Sequence, residues 1–229
     1  MIKAVIFDMF ETLITHYESP LYFGAQIAKD TGIPEDSFSM LWRDAELEYQ
    51  RTVGQMTLEQ VLEIILKENH CYSKELLQKI VKKRIACKED CFRHLHSDIV
   101  PMLEALRRQG LKVGLISNCY SEEVGPIKNS LLFPYFDTVC LSYEQGIQKP
   151  DKEIFRRCMD GLSVEANECL YVGDGGSLEL ETASELGMKA LQAAWYFKDG
   201  VDQLSKRNSS FIQIETPMEL LKYIGVNLI

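Results

Sequence analysis

MIKAVIFDMFETL, residues 1–13, is the stretch whose reading decides the fold. Ala4 to Phe7 is a short apolar run with the pattern of a buried strand, and it delivers one carboxylate, Asp8, at its end and an aromatic, Phe10, two residues later. A carboxylate just past a buried strand is aimed into the crevice where open α/β sheets bind ligands, which makes Asp8 a candidate nucleophile or metal ligand. The plainer alternative is a surface Asp at a turn after an edge strand.

Further apolar runs lie at Lys112 to Ile116, Thr138 to Leu141, Cys169 to Val172, Lys189 to Ala193 and Phe211 to Ile214, with helical segments between them. That alternation predicts a parallel sheet with crossover helices. The helix over Ile99 to Gln109 carries Pro101 near its start and Gly110 past its end. Gly187 closes one that begins near Ser177, and the last runs from near Pro217 to Gly225.

The gap between the first run and Lys112 is far longer than one crossover needs. Within it, Tyr22 to Thr31, Asp36 to Arg51, Thr57 to His70 and Ser73 to Ala86 repeat apolar residues at three- and four-residue spacing. Thr57 with Gln60 has the form of a capping box, and Ser73 that of an N-cap. The expected architecture is α/β, a Rossmann-like parallel sheet flanked by helices (residues 1–14 and 98–229) with an inserted α-helical cap domain (residues 15–97). Tyr22, Phe23, Phe38, Trp42 and Tyr49 are expected to form the cap core. The segment CKEDCFRHLH, Cys87 to His96, lacks a zinc spacing and is expected to be a polar linker with ordinary thiols, returning the chain to the sheet.

The 229 residues are 46% hydrophobic, enough for a full core, and carry a net charge of −9. That balance argues against a nucleic-acid or anionic-membrane surface while leaving room for a local cationic pocket that takes small anions. Seven cysteines without a secreted-framework spacing, and no signal-like start, predict reduced thiols in a cytoplasmic setting. No apolar stretch approaches the roughly 20 residues of a membrane span. The oligomeric state is not legible.

Polar residues of particular kinds follow the strand candidates: Asp8, Ser117 with Asn118, Lys149, and Asp174 with Glu179. Parallel strands place such ends on one edge, where these groups would converge. Taken singly, Ser117 could cap a turn, Lys149 could be a solvated charge, and Glu179 could sit at a helix N-terminus where a carboxylate is favoured.

The ordered set DMFETL from Asp8 to Leu13, LISN ending in Asn118, YEQGIQKPD around Lys149 and YVGDGGSLELETASELGM around Asp174 resembles the haloacid dehalogenase superfamily. The resemblance covers essentially the whole chain, with the inserted helices where that superfamily carries its cap. It implies a hydrolase, a Mg²⁺-dependent phosphatase acting on a small phosphorylated metabolite, in which Asp8 attacks phosphorus to give an aspartyl-phosphate. The implied metal ligands are Asp8, the backbone carbonyl of Phe10, Asp174 and Glu179. Ser117 and Lys149 would hold the phosphoryl oxygens, Thr12 would tie down the nucleophile loop, and Asn118 would orient Asp8 or the phosphoryl group.

Phe10 departs from the phosphatase pattern, whose second acid protonates the leaving group. Losing that group forfeits help usually worth ~10²–10⁴ in rate. Glu11 and His16 are candidate substitutes, since both can carry a proton near the site. Two other readings follow from Phe10: a catalytically impaired metabolite-binding or regulatory protein, and a metal-independent 2-haloacid dehalogenase, whose first motif also carries an aromatic. The retained acids Asp174 and Glu179 count against the dehalogenase, because without a cation they would repel Asp8 and raise its pKa.

Overall fold

The opening run becomes a central strand. In a computed structural model describing residues 1–198, 203 and 205–225, β1 (Ala4–Phe7) is buried along its whole length. It pairs in parallel with β2 (Lys112–Ser117) on one side and β4 (Cys169–Gly173) on the other. With β3 (Thr138–Leu141), β5 (Lys189–Ala193) and β6 (Ile212–Ile214) the order is β3-β2-β1-β4-β5-β6, every neighbouring pair parallel. The chain builds outward from β1 through β2 to β3 and then returns to start β4 on the far side of β1. This reversal opens a crevice beyond the C-terminal ends of β1 and β4, the usual ligand position in such sheets.

Alternation along the strands supplies two apolar layers. Val5, Phe7, Val113, Leu115, Leu170 and Val172 pack with α6 (Ile99–Arg108) on one face. Ala4, Ile6, Ile116 and Tyr171 pack with α9 (Lys152–Leu162) and α10 (Glu179–Glu185) on the other. Two short helices, α7 (Ser121–Lys128) and α8 (Ser142–Gln145), follow β2 and β3.

Between β1 and β2 lie α1 (Gly24–Thr31), α2 (Glu35–Trp42), α3 (Ala45–Thr52), α4 (Leu58–Glu68) and α5 (Lys74–Cys91). They enclose an apolar cluster of their own around Ile27, Phe38, Leu62, Ile65 and Ile80. The predicted capping box at Thr57 and Gln60 and the N-cap at Ser73 both form.

Three segments differ from expectation. The single helix over Asp36 to Arg51 is broken at Arg43, because the Asp44 carboxylate accepts from the Leu47 N–H (3.0 Å) and starts a new helix. The linker expected at Cys87 to His96 is instead helical through Cys91, with Cys87, Lys88 and Cys91 buried. The last helix, Pro217–Tyr223, is a 3₁₀ helix. All seven cysteines are free thiols, and among the described residues no helix is long and apolar enough to cross a membrane.

Two serine hydroxyls at the starts of α7 and α8 bond to backbone groups of the insertion. Ser142 Oγ donates to the Thr52 carbonyl (2.8 Å), and Ser121 Oγ accepts from the Leu58 N–H (2.9 Å). At Gly54, whose φ is +74°, a Cβ would lie 2.1 Å from the Tyr143 carbonyl oxygen, so only glycine fits.

Candidate active site

Asp8 leaves β1 with its N–H bonded to the Val172 carbonyl (3.0 Å), which fixes its carboxyl beyond the strand end. Asp174 follows β4, and Glu179 opens α10. Ligand oxygens of these three buried acids lie within 4.8 Å of one another. Lys149, in the loop after α8, inserts its ammonium among them, 2.5 Å from Asp8 Oδ1 and 2.5 Å from Glu179 Oε2.

Each carboxylate is further held by donors. Glu179 Oε2 accepts from the Tyr171 hydroxyl (2.9 Å) and Oε1 from the Gly175 N–H (3.1 Å), while Asp174 Oδ1 accepts from the Gly176 N–H (3.0 Å). A Cβ at Gly173 would lie 2.0 Å from Glu179 Oε1, so the bare strand end is what admits this side chain.

The electrostatics show a shortage of positive charge. Burial pushes the Asp8 carboxyl up to about 6 against the pull of Lys149, and Asp174 adds to the rise. Burial likewise lifts Glu179 to about 8, again opposed by Lys149 and reinforced by Asp8 and Asp174. Asp174 is raised by burial as well. Burial disfavours the Lys149 ammonium, yet Asp8 and Glu179 outweigh it and hold the group above the ordinary lysine range. Three acids around one ammonium leave a deficit that a hard divalent cation would fill, and oxygen donors suit such an ion.

The remaining expected residues divide. Asp8, Phe10, Glu11, His16, Asn118, Lys149, Asp174 and Glu179 all line one cavity of about 880 Å³. Asn118 grips the Lys149 backbone at both N–H and carbonyl (2.8 and 3.1 Å) and donates to Ser177 Oγ (3.2 Å), so it positions the lysine loop and makes no hydrogen bond to Asp8. Ser117 and Thr12 are fully buried and lie outside the cavity lining. The Ser117 hydroxyl approaches the Asn118 carbonyl (3.4 Å). The Thr12 hydroxyl has no partner among the described residues, and the loop is instead tied by the Thr12 carbonyl accepting from Trp195 Nε1 (2.8 Å).

Glu11 and His16 form a joined pair beside Phe10. Glu11 Oε1 lies 2.9 Å from His16 Nδ1, and Oε2 accepts from the Thr15 hydroxyl (2.5 Å). The Phe10 ring stacks on His16 with centroids 4.8 Å apart and 15° between planes. Burial raises the Glu11 pKa, and burial with the Lys88 charge drives His16 well below its ordinary value.

Sequence reasoning missed the other half of the cavity. Lys88 of α5 lies 2.7 Å from His16 Nε2 and 2.5 Å from Glu123 Oε1. Arg84 Nε donates to Glu122 Oε1 (3.2 Å). Arg51 of α3 lines the same space with Trp42 and Tyr120. A signal existed: Arg84 and Lys88 stand one turn apart on α5, and Glu122 and Glu123 open α7.

Comparison with known proteins agrees with this architecture. Residues 2–187 match the haloacid dehalogenase-like hydrolase family. The chain is 25% identical over 243 residues to a glyceraldehyde 3-phosphate phosphatase of Methanopyrus kandleri, covering 98% of this chain and 97% of that one. It is 26% identical over 203 residues to (S)-2-haloacid dehalogenase 4A of Burkholderia cepacia, covering 83% and 82%. A HAD family enzyme of Bacteroides thetaiotaomicron, crystallised as an Asp-to-Ala variant with magnesium and inorganic phosphate, shares the fold at a TM-score of 0.63 and 18% identity, over 89% of this chain and 98% of that one. With its six-stranded parallel sheet, its helical insertion after β1 and its carboxylates at the sheet edge, the chain belongs to the haloacid dehalogenase-like hydrolases.

Proposed function

We propose that the chain is a Mg²⁺-dependent phosphatase acting on a small phosphorylated metabolite, with residues 15–97 as a cap over a core of residues 1–14 and 98–229. The observation that carries the reading is the convergence of Asp8, Asp174 and Glu179 around Lys149 in one cavity. The similarity to a glyceraldehyde 3-phosphate phosphatase supports the substrate class.

Asp8, Asp174, Glu179 and the Phe10 carbonyl would hold Mg²⁺, which supplies charge neutralisation at the phosphoryl oxygens. One Asp8 oxygen attacks phosphorus, the bond to the leaving oxygen breaks, and water later cleaves the aspartyl-phosphate to inorganic phosphate. Lys149 holds the nucleophile and neutralises a phosphoryl oxygen; Ser117, at the end of β2, would have to turn its hydroxyl from the Asn118 carbonyl to serve as a second donor. Phe10 offers no proton, so esters with good leaving groups react fastest, unless the Glu11 and His16 pair relays one.

The test is Mg²⁺-dependent phosphate release from an activated aryl phosphate, lost in Asp8→Asn with the fold intact by circular dichroism. Metabolite binding without release across a broad substrate panel would make the chain a binding or regulatory protein. A second reading rests on Phe10 and the dehalogenase relative: halide release from a 2-haloacid in EDTA would establish it in place of phosphatase chemistry.

A further inference from the structure

Arg51 has an arrangement that the phosphoryl chemistry does not use. It ends α3 and is 2% exposed, with its guanidinium carbon 4.1 Å from the Trp42 ring centroid and 4.3 Å from that of Tyr120. Stacking on ring faces leaves only the in-plane edge of a guanidinium for hydrogen bonds. On that edge Nε and Nη2 have no hydrogen-bond partner among the described residues. The nearest acid, Glu122, lies 3.6 Å from Nη2, and its Oε1 already accepts from Arg84 Nε. Arg84 differs in being satisfied, because its Nη1 also donates to the Tyr22 carbonyl (2.6 Å).

The wall holds three buried cations, Arg51, Arg84 and Lys88, facing the buried acids Glu122 and Glu123, with Glu11 adding a partly buried negative charge near Lys88. Glu48 stands at the exposed rim, accepting from the Tyr120 hydroxyl (3.2 Å). Among these cations it is Arg51 that keeps unmet buried donors, and unmet buried donors are costly. Arg51 makes no ion pair with Asp8, Asp174 or Glu179 among the described residues, yet it lines the cavity those acids line.

We infer that Arg51 is the recognition point for a second anionic group on the substrate, a carboxylate, so that the substrates are phosphate monoesters of hydroxy acids. This rests on the phosphatase reading above. A carboxylate is planar and presents two oxygens at the spacing of the guanidinium edge, and its single charge is repelled less than a second phosphate would be by the nearby Glu122. The Trp42 and Tyr120 rings fix the plane in which the fork is offered.

The experiment compares a homologous series of phosphorylated hydroxy acids of increasing chain length with their neutral amides and with the matching bisphosphates. It measures kcat/KM in the wild-type enzyme with Mg²⁺ and, by calorimetry, binding of the non-hydrolysable phosphonate of the acid and of its amide. At the best length the acid is expected to exceed the amide by about tenfold to a hundredfold. Arg51→Met brings that ratio near one, and Arg51→Lys, which keeps the charge without the fork, leaves it between the two. A residue that only holds the cap in place would change both substrates together and leave the ratio alone. Equal turnover of acid and amide overturns the inference while the phosphatase reading stands, and a preference for bisphosphate overturns the assignment to carboxylate. If neither this series nor an activated aryl phosphate is hydrolysed but the acid phosphonate binds more tightly in an Arg51-dependent way, the subsite stands and the phosphatase reading falls; if the aryl phosphate is also inert and the two phosphonates bind alike, both fall.

Discussion

The ammonium of Lys149 sits 2.5 Å from Oδ1 of Asp8, so the proposed nucleophile and its counter-charge form one buried unit. Lys149→Met strands Asp8 and Glu179 together, since the same ammonium serves both. Turnover is expected to fall by ~10²–10³, the usual cost of removing one preorganised donor from a transition state. Breaking such a buried pair also costs roughly 3–5 kcal/mol of stability. Low pH shrinks that loss by protonating the stranded carboxyls, so denaturant melts across a pH series test the account.

The metal-free protein should become less stable as pH rises. Asp8 and Glu179 stand at about 6 and about 8 in the folded chain, above the ordinary 3.8 and 4.5. A raised folded value means that the folded state binds the proton more tightly. The stabilisation is therefore complete below the ordinary values and is lost as pH climbs through about 6 and then about 8. Thermal melts in EDTA are expected to show a falling Tm across this window. Added Mg²⁺ should raise Tm more at the upper end than at the lower, because it replaces protons there. A flat Tm in EDTA would contradict the charge deficit.

Phe10→Asp is expected to raise turnover of unactivated alkyl phosphates by about ten- to a hundredfold, within the usual range of general acid help. Activated aryl phosphates, which need no proton, should change little. Lys88 Nζ is 5.3 Å from the Phe10 ring centroid, so the new carboxylate would meet a cation. Steady-state kinetics on both classes, with Mg²⁺ binding checked by calorimetry, decide the matter; no gain in a folded, metal-binding variant refutes it.

Gly173→Ala tests the place of Glu179. The added methyl would fall 2.0 Å from Glu179 Oε1 and must push that carboxylate off the Gly175 N–H. Overpacking of this kind costs about 1–3 kcal/mol. Mg²⁺ affinity is expected to weaken with it, and calorimetric titration reads this directly. Unchanged affinity would remove Glu179 from the metal site.

Much of the sheet was legible because its strands leave short, largely apolar runs bounded by polar or turn residues. Ala4 to Phe7, Thr138 to Leu141 and Lys189 to Ala193 begin and end where the sequence puts them. Asp8 and Asp174 were legible for a related reason, as single polar residues just past such runs, while Lys149, beyond α8, and Glu179, at the start of α10, were legible through the ordered motif set. What escaped was charge buried by pairing. Periodicity sorts residues by polarity, so Lys88 fell into the expected polar linker and Arg84 was not singled out, although both are 2% exposed. Their partners Glu122 and Glu123 lie far along the chain, and two acids in the first turn of a helix read locally as ordinary helix-start residues, so the pairing itself was not legible. Arg51 was hidden in the same way, by two rings from different elements. The break before Ala45 was readable in principle, since Asp44 is a good N-cap residue.

The pairs Arg84 with Glu122 and Lys88 with Glu123 cross from the insertion to the sheet. Losing one member of either strands a buried charge at this junction. Glu122 carries more than one partner, because Arg51 Nη2 stands 3.6 Å from the same Oε1 that accepts from Arg84. A single substitution there would orphan two guanidinium groups at once, so one carboxylate near the start of α7 sets the charge balance of two separate inserted helices.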